Sequence, residues 1–488
     1  MTERVDAVVV GAGPNGLAAA LVLAESGRQV VVVEAARTIG GGARTAEVTL
    51  PGFHHDVCSA VHPTAAASPF FRAFDLAAHG VEMLQPEAAY AHPLDGARAG
   101  VAWRDLDRTA DELGKDGPAW RALLGPLAQR WEHLADLVLS DFRSLPRDVA
   151  LSLRLMRRVV EQGSPAWNRR FRGDTAPALL TGVAAHALAP VRALAPAGAG
   201  LWLASLAHAV GWPIPRGGSQ QMMDAVANRI VELGGEIRTG ERIASLAQVP
   251  TADCVLLDVT PRGLLGIAGE DLPSAYRRWL QRFTYGNAVC KVDFALNAEV
   301  PWAADGCRRA GTLHVAGSRE EIVASEKQVH SGVHPDRPYV LVSQPGVVDG
   351  TRAPEGQQTL WTYAHVPRGS TVDMGDAVAA QLERFAPGFR DVVLHRSVMT
   401  AAQYEDYNAN CVGGDISSGA ATPWQLAMRP VPRWDPYRTP IDGVYLCSSS
   451  TPPGPAVHGM AGVHAAGRAL RQVFGDSRRP LDLVANAR

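Results

Sequence analysis

The chain of 488 residues predicts an α/β fold in which a parallel-sheet domain, assembled from distant stretches, is joined to a second domain of mixed α+β character. Three observations predict it. Residues 5–34 run strand, glycine turn, helix, strand. Residues 76–210 space their apolar side chains three and four apart. Residues 285–367 alternate as strands do.

The first stretch is the most informative. The β-branched run Val5–Val10 leads into Gly11-Ala12-Gly13-Pro14-Asn15-Gly16. A helix is predicted over Leu17–Ser26 and a second strand over Gln29–Val33, ending at Glu34. This is a complete βαβ unit carrying the dinucleotide fingerprint in its required context. Gly11 permits the tight turn, Gly13 lets the backbone approach a pyrophosphate, and Gly16 lets the helix pack against the strand. Pro14 and Asn15 complete the loop at the helix N-terminus, whose free N–H groups suit phosphate. Glu34, followed by Ala35, stands where a carboxylate accepts both ribose hydroxyls. It would repel a 2′-phosphate, so the dinucleotide is FAD or NAD rather than NADP.

Two further glycine loops narrow the choice. Ile39–Thr45 reads IGGGART. Gly41 and Gly42 let the backbone pass close to a ligand, and Arg44 can pair with a phosphate. The competing reading is a surface turn with a solvated arginine. Pro452–Gly462 opens a helix predicted over Val463–Leu470. A helix N-terminus beside an isoalloxazine C2 carbonyl stabilises reduced flavin, whereas alone it is an ordinary cap. Together the three loops point to a flavin.

The bulk properties exclude other classes. A net charge of -2 gives no general attraction to nucleic acid. The six cysteines form neither a CxxC pair nor a metal-ligand set with histidine, so no metal is expected, and their scatter suits a reducing cytoplasm. The first strand begins about five residues after Met1, which leaves no room for a signal peptide. No apolar run of about 18 residues lies outside the dinucleotide unit, so no membrane span is expected.

The predicted organisation is discontinuous. Residues 1–75, 211–265 and 410–488 form the dinucleotide domain. Residues 76–210 form a helical part of the second domain and 266–409 its sheet-rich part. A helical run is predicted from Trp120 to Phe142. A helix follows over Ser219–Leu233, then strands over Glu236–Thr239 and Cys254–Val259, and a helix over 374–388.

Six segments carry a resemblance: GAGPNGLAAA, GGGARTAEVTLPGFHHDVCSAVHP at 40–63, GWPIPRGGSQ at 211–220, YGNAVCKVDFAL at 285–296, VGGDISSGA at 412–420 and RTPIDGVYLCSSSTPPGPAVHGMAGVHAAGRAL at 438–470. The chain resembles the phytoene dehydrogenase-related flavoproteins, which include carotenoid desaturases and isomerases and the proteins named for a pyridine nucleotide-disulfide oxidoreductase domain. The resemblance implies bound FAD and a Rossmann-type FAD-binding domain of the amine oxidase and GDP-dissociation-inhibitor group. It places Gly11, Gly13 and Gly16 on the pyrophosphate, Glu34 on the ribose, Arg44 near the phosphates or flavin edge, Ile243 near the adenine, and Gly459 and Met460 near the isoalloxazine. The family usually has glycines where Pro455 and Ala456 stand; proline there removes an N–H and stiffens the loop.

Candidate chemistry lies at His458, inside the C-terminal loop, and at His55-Asp56, where an acid–base role competes with a structural hydrogen-bonded pair. Lys291 beside Asp293 reads as a strand-surface ion pair. Tyr285, His314, Gln344 and Trp361 are weaker candidates for a substrate cavity. Arg154, Arg157 and Arg158 form either a solvated helix face or a peripheral membrane contact. The expected activity is an FAD-dependent dehydrogenase or desaturase acting on a lipophilic, carotenoid-like substrate. The alternatives are redox-neutral polyene isomerisation and a non-catalytic lipid-binding protein on the same fold. Gly198-Ala199-Gly200 lacks the third glycine of a second fingerprint, so oxygen, a quinone or another carrier is expected to reoxidise the flavin.

Overall fold

A computed structural model describes residues 4–141, 143 and 145–486. Its first sheet is fully parallel, in the order Val444–Leu446, Ala252–Leu257, Val5–Val10, Val30–Glu34, Glu236–Thr239. Three distant stretches supply its five strands. The central strand VDAVVV has almost every side chain buried, as expected of an inner parallel strand covered on both faces.

The N-terminal helix, Pro14–Glu25, starts with proline at its first turn and buries an unbroken run from Asn15 to Ala24. Its small residues admit the helix Met460–Val473 at close range. A Cβ added to Gly462 would lie 1.9 Å from the Asn15 carbonyl oxygen. This contact locks the first and last glycine loops into one frame.

The second sheet has seven strands, in the order Val393–Met399, Ala288–Leu296, Gln358–Val366, Val340–Ser343, Ala310–Val315, Ala88–Leu94, Arg98–Trp103. Its pairs are antiparallel except Ala310–Val315 with Ala88–Leu94. The last two strands lie inside the stretch whose spacing reads as helical; Ala-rich AAYAHPL gives no alternation because every one of its residues is buried. The run from Trp120 divides into helices Gly117–Ala128 and Trp131–Val138, because Arg130 leaves the helical region at φ −116°. Phe142, the end of that predicted run, lies outside the described residues. Among the described residues no helix is long and apolar enough to cross a membrane.

Candidate functional site

One cavity of about 1600 Å³ runs from the N-terminal glycine turn to the face of the second sheet. It exceeds the roughly 300–1,000 Å³ of a single small-ligand pocket. Gly11, Gly13, Pro14, Asn15, Glu34, Ala35, Gly41, Gly42, Arg44 and Ile243 all line it.

The cradle is built by close backbone approach. Gly11 holds φ +105°, a conformation side chains resist, and its N–H donates to the Val33 carbonyl at 2.8 Å. A Cβ on Gly16 would lie 2.0 Å from the Gly11 carbonyl oxygen, so only glycine lets the helix start there. Gly16 therefore packs behind the turn. The second glycine loop closes over the first, and a Cβ on Gly41 would meet the Gly13 Cα at 2.9 Å. Glu34 accepts the Ala12 N–H at 2.7 Å and the Ala36 N–H at 2.8 Å, which fixes its carboxylate at the strand end. Arg44 is buried; its Nε–H donates to the Thr38 and Ile39 carbonyls, and its Nη2 lies 3.3 Å from Glu34 Oε1.

Two residues here escaped sequence reasoning. Asp258 follows the strand Ala252–Leu257, and its Oδ2 accepts the Gly16 N–H at 3.0 Å. Burial pushes its carboxyl up to about 7; the Gly16 N–H opposes this, and the charge of Glu34 reinforces it. Its position at the carboxyl end of a parallel strand was the available signal. Arg429 also lines the cavity, and a lone arginine in a loop-rich segment gives no signal.

The catalytic candidates fare differently. His458 lines the cavity, but both ring nitrogens are committed. Met460 N–H donates to Nδ1 at 3.0 Å, so Nε2 carries the hydrogen and donates to the Gly454 carbonyl at 3.0 Å. Burial lowers its pKa to about 4, opposed by the Gly454 contact. The ring braces the C-terminal loop as a neutral tautomer. Gly459, at φ +70°, and Met460 are not on the cavity wall. A Cβ on Gly459 would meet Phe70 at 2.6 Å and Ala18 at 2.9 Å, so this glycine serves helix packing.

His55 and Asp56 sit behind the wall, in a structural network. His55 Nε2 is 2.8 Å from Thr49 Oγ1, and Nδ1 is 3.3 Å from Asp293 Oδ1. Asp56 accepts from Thr45 Oγ1, Ser219 N–H and Arg352 Nη2, each at 2.7 Å. Burial raises its pKa, but Arg352 and the Ser219 N–H outweigh that and hold it below the usual range. Lys291 pairs with Asp293 as expected, though fully buried rather than on a surface, with Nζ 4.9 Å from the Trp361 ring centroid. Of the weaker candidates Trp361 reaches the cavity. His314 is buried against His186 at 2.8 Å, Gln344 is spent on Trp302 and two backbone carbonyls, and the Tyr285 hydroxyl accepts the Arg262 N–H.

Beyond the cradle the segment Cys58–Ala65 forms a wall, and the cavity opens into a lobe lined by Leu137, Leu155, Leu194, Leu203, Trp202 and Trp212. Among the described residues no group of His, Cys, Asp and Glu is arranged to hold a metal ion. The facing glycine loops, the fixed acid at the strand end, and the unpartnered buried Asn15 Oδ1 and Arg429 Nε and Nη2 fit a dinucleotide with an anionic centre.

The family model for flavin containing amine oxidoreductases matches residues 15–264. The chain is 24% identical to the pyridine nucleotide-disulfide oxidoreductase domain-containing protein 2 of Rattus norvegicus, over 94% of this chain and 92% of that protein. It is 23% identical to the phytoene desaturase (neurosporene-forming) of Rhodobacter capsulatus, over 97% and 94%. Its fold is similar to that of an oxidoreductase from Methanosarcina mazei (TM-score 0.60, 15% identity, 96% of this chain and 100% of that one). It is also similar to that of cyclohexylamine oxidase from Brevibacterium oxydans (TM-score 0.56, 16% identity, 97% and 100%).

Proposed function

Since the chain belongs to the flavin-containing amine oxidoreductase family and is an FAD-dependent oxidoreductase, we propose that it dehydrogenates an apolar, lipid-like substrate of carotenoid or terpenoid kind. The apolar part of the cavity lining carries this reading. Leu137, Leu155, Leu194, Leu203 and two tryptophans offer a substrate apolar wall. FAD, when bound, accepts the hydride. The protein does the rest by holding and excluding. The glycine turns and Arg44 hold the diphosphate, and Glu34 holds the ribose. The Cys58–Ala65 wall orients substrate, and the lobe keeps water from the reacting carbon. His186 borders the lobe as a neutral ring, with its pKa brought down to about 3 by burial. The test is anaerobic mixing of the holoenzyme with a panel of carotenoids and terpenes. The expected result is bleaching of the flavin and a product lighter by two hydrogens. A product of unchanged mass would replace dehydrogenation by isomerisation, and retained flavin with no bleaching by any member would overturn the reading.

Entry of such a substrate fits a membrane-facing mouth. On the helix Val149–Gln162, Val149, Leu153, Met156 and Val160 share one face at spacings of four, three and four, and each is more than half exposed. Leu145 precedes them, and exposed Trp434 lies nearby, 5.4 Å under Arg143. Met156 also lines the cavity, so the stripe borders its opening. Arg154 and Arg157 are exposed beside the stripe, while Arg158 pairs with Glu161 at 2.7 Å. An apolar stripe flanked by free cations suits an anionic lipid surface, and an opening there would admit substrate from the bilayer. Co-sedimentation with phosphatidylserine vesicles should exceed that with phosphatidylcholine vesicles and fall in Leu153→Glu/Met156→Glu. Equal recovery in all cases would sink the docking surface.

A further inference from the structure

Arg429 is a buried cation whose guanidinium has more donors than partners. Its Nη1–H donates to the Ser449 carbonyl at 3.0 Å, while Nε and Nη2 have no hydrogen-bond partner. Asp415 acts on it electrostatically but forms no ion pair with it. That carboxylate is engaged by the N–H groups of Gly286 at 2.8 Å, Ser417 at 2.8 Å and Gly419 at 2.9 Å. Burial brings the guanidinium down to about 10, so it remains charged at neutral pH. A buried, charged fork with two donor nitrogens unpaired is a strongly unfavourable arrangement unless a ligand completes it.

The position says which ligand. Ser449, which accepts through its carbonyl from Arg429, also takes the Asn15 side-chain amide on its hydroxyl at 3.3 Å. Asn15 opens the N-terminal helix at the cradle. Two glycines clear space for the fork: a Cβ on Gly454 would lie 2.6 Å from Nη1, and one on Gly419 would lie 3.1 Å from Nη2. Arg429 lines the cavity.

We propose that Arg429 completes the FAD site, its free Nε and Nη2 donors pairing with negative charge on the cofactor. The proposal rests on the FAD reading and adds a second buried arginine, from the opposite end of the chain, to Arg44. The anion is either the diphosphate, charged in both redox states, or the isoalloxazine, charged when reduced; the two sources part in titration.

The variants are Arg429→Met, which fills the space without charge, and Arg429→Lys, which keeps the charge. FAD is titrated into each apoprotein, and the reduction potential of each holoprotein is measured. A diphosphate partner predicts that oxidised FAD binds at least tenfold more weakly to Arg429→Met, with recovery in Arg429→Lys. A reduced-flavin partner predicts unchanged oxidised binding and tenfold weaker binding of reduced FAD, read as a potential about 30 mV lower. In either case the Arg429→Met apoprotein unfolds in urea no earlier than wild type, because an unpaired buried charge has gone; a merely structural arginine predicts the reverse. Affinities for both redox states within twofold of wild type would overturn the proposal. A wild-type apoprotein that takes up no FAD would instead bring down the FAD reading itself.

Discussion

Asp258→Asn should stabilise the FAD-free protein, and by an amount that depends on pH. The carboxyl titrates at about 7 in the fold against 3.8 for its ordinary value. The folded state therefore holds a proton that the unfolded chain has lost between those limits. A raised acid pKa makes stability fall as pH rises from about 4 to about 7, at ~1.4 kcal/mol per pH unit, and the loss is complete above 7. The whole span is worth about 4 kcal/mol. Asparagine keeps an oxygen for the Gly16 N–H and carries no charge to bury. The variant should match wild type near pH 4 and exceed it by about 4 kcal/mol at pH 8. Urea unfolding of the apoprotein at pH 5 and pH 8 reads this directly, with a predicted widening of about 3 kcal/mol between the two. A difference that stays flat within about 0.5 kcal/mol would show that Asp258 is ionised in the fold at little cost. The same charge opposes a diphosphate, so wild-type FAD affinity should weaken above pH 7 while that of the variant should not.

Other outcomes follow from the packing. Gly462→Ala puts a carbon 1.9 Å from the Asn15 carbonyl oxygen, so the two helices must part. A loss of about 1–3 kcal/mol in urea unfolding and release of FAD on gel filtration are expected. Arg352→Met leaves Asp56 buried without its ion-pair partner and should cost about 3–5 kcal/mol by the same assay. His458→Asn should leave the shape of the kcat pH profile unchanged, because the ring already has both nitrogens bound; a lost limb in that profile would restore it as an acid–base group.

What the sequence disclosed was local. Gly11, Gly13, Gly16 and Glu34 act over a few neighbouring residues, and each constraint shows as a residue type at a fixed offset. The role of His458 was not legible, because its partners are backbone atoms of its own loop, which leave no mark on composition. Asp56 meets Arg352, and His55 meets Asp293, only after the chain folds across 296 and 238 positions. Arg429 is likewise defined by a gap in pairing, which one dimension cannot show. The strand Ala88–Leu94 was hidden because burial on both faces erases alternation, and Arg98–Trp103 is likewise buried over its last four residues.

The order of the first sheet bears on how the protein is made. Its strand at residues 444–446 adds to the edge of one at 252–257, which in turn flanks the strand at 5–10. A growing chain thus carries its first glycine turn for more than four hundred residues before the partner that closes it is synthesised. Contacts of such long sequence separation form late and slowly. Cofactor capture is then a terminal event of maturation, and chains halted anywhere before the helix Met460–Val473 should emerge colourless and open to proteolysis.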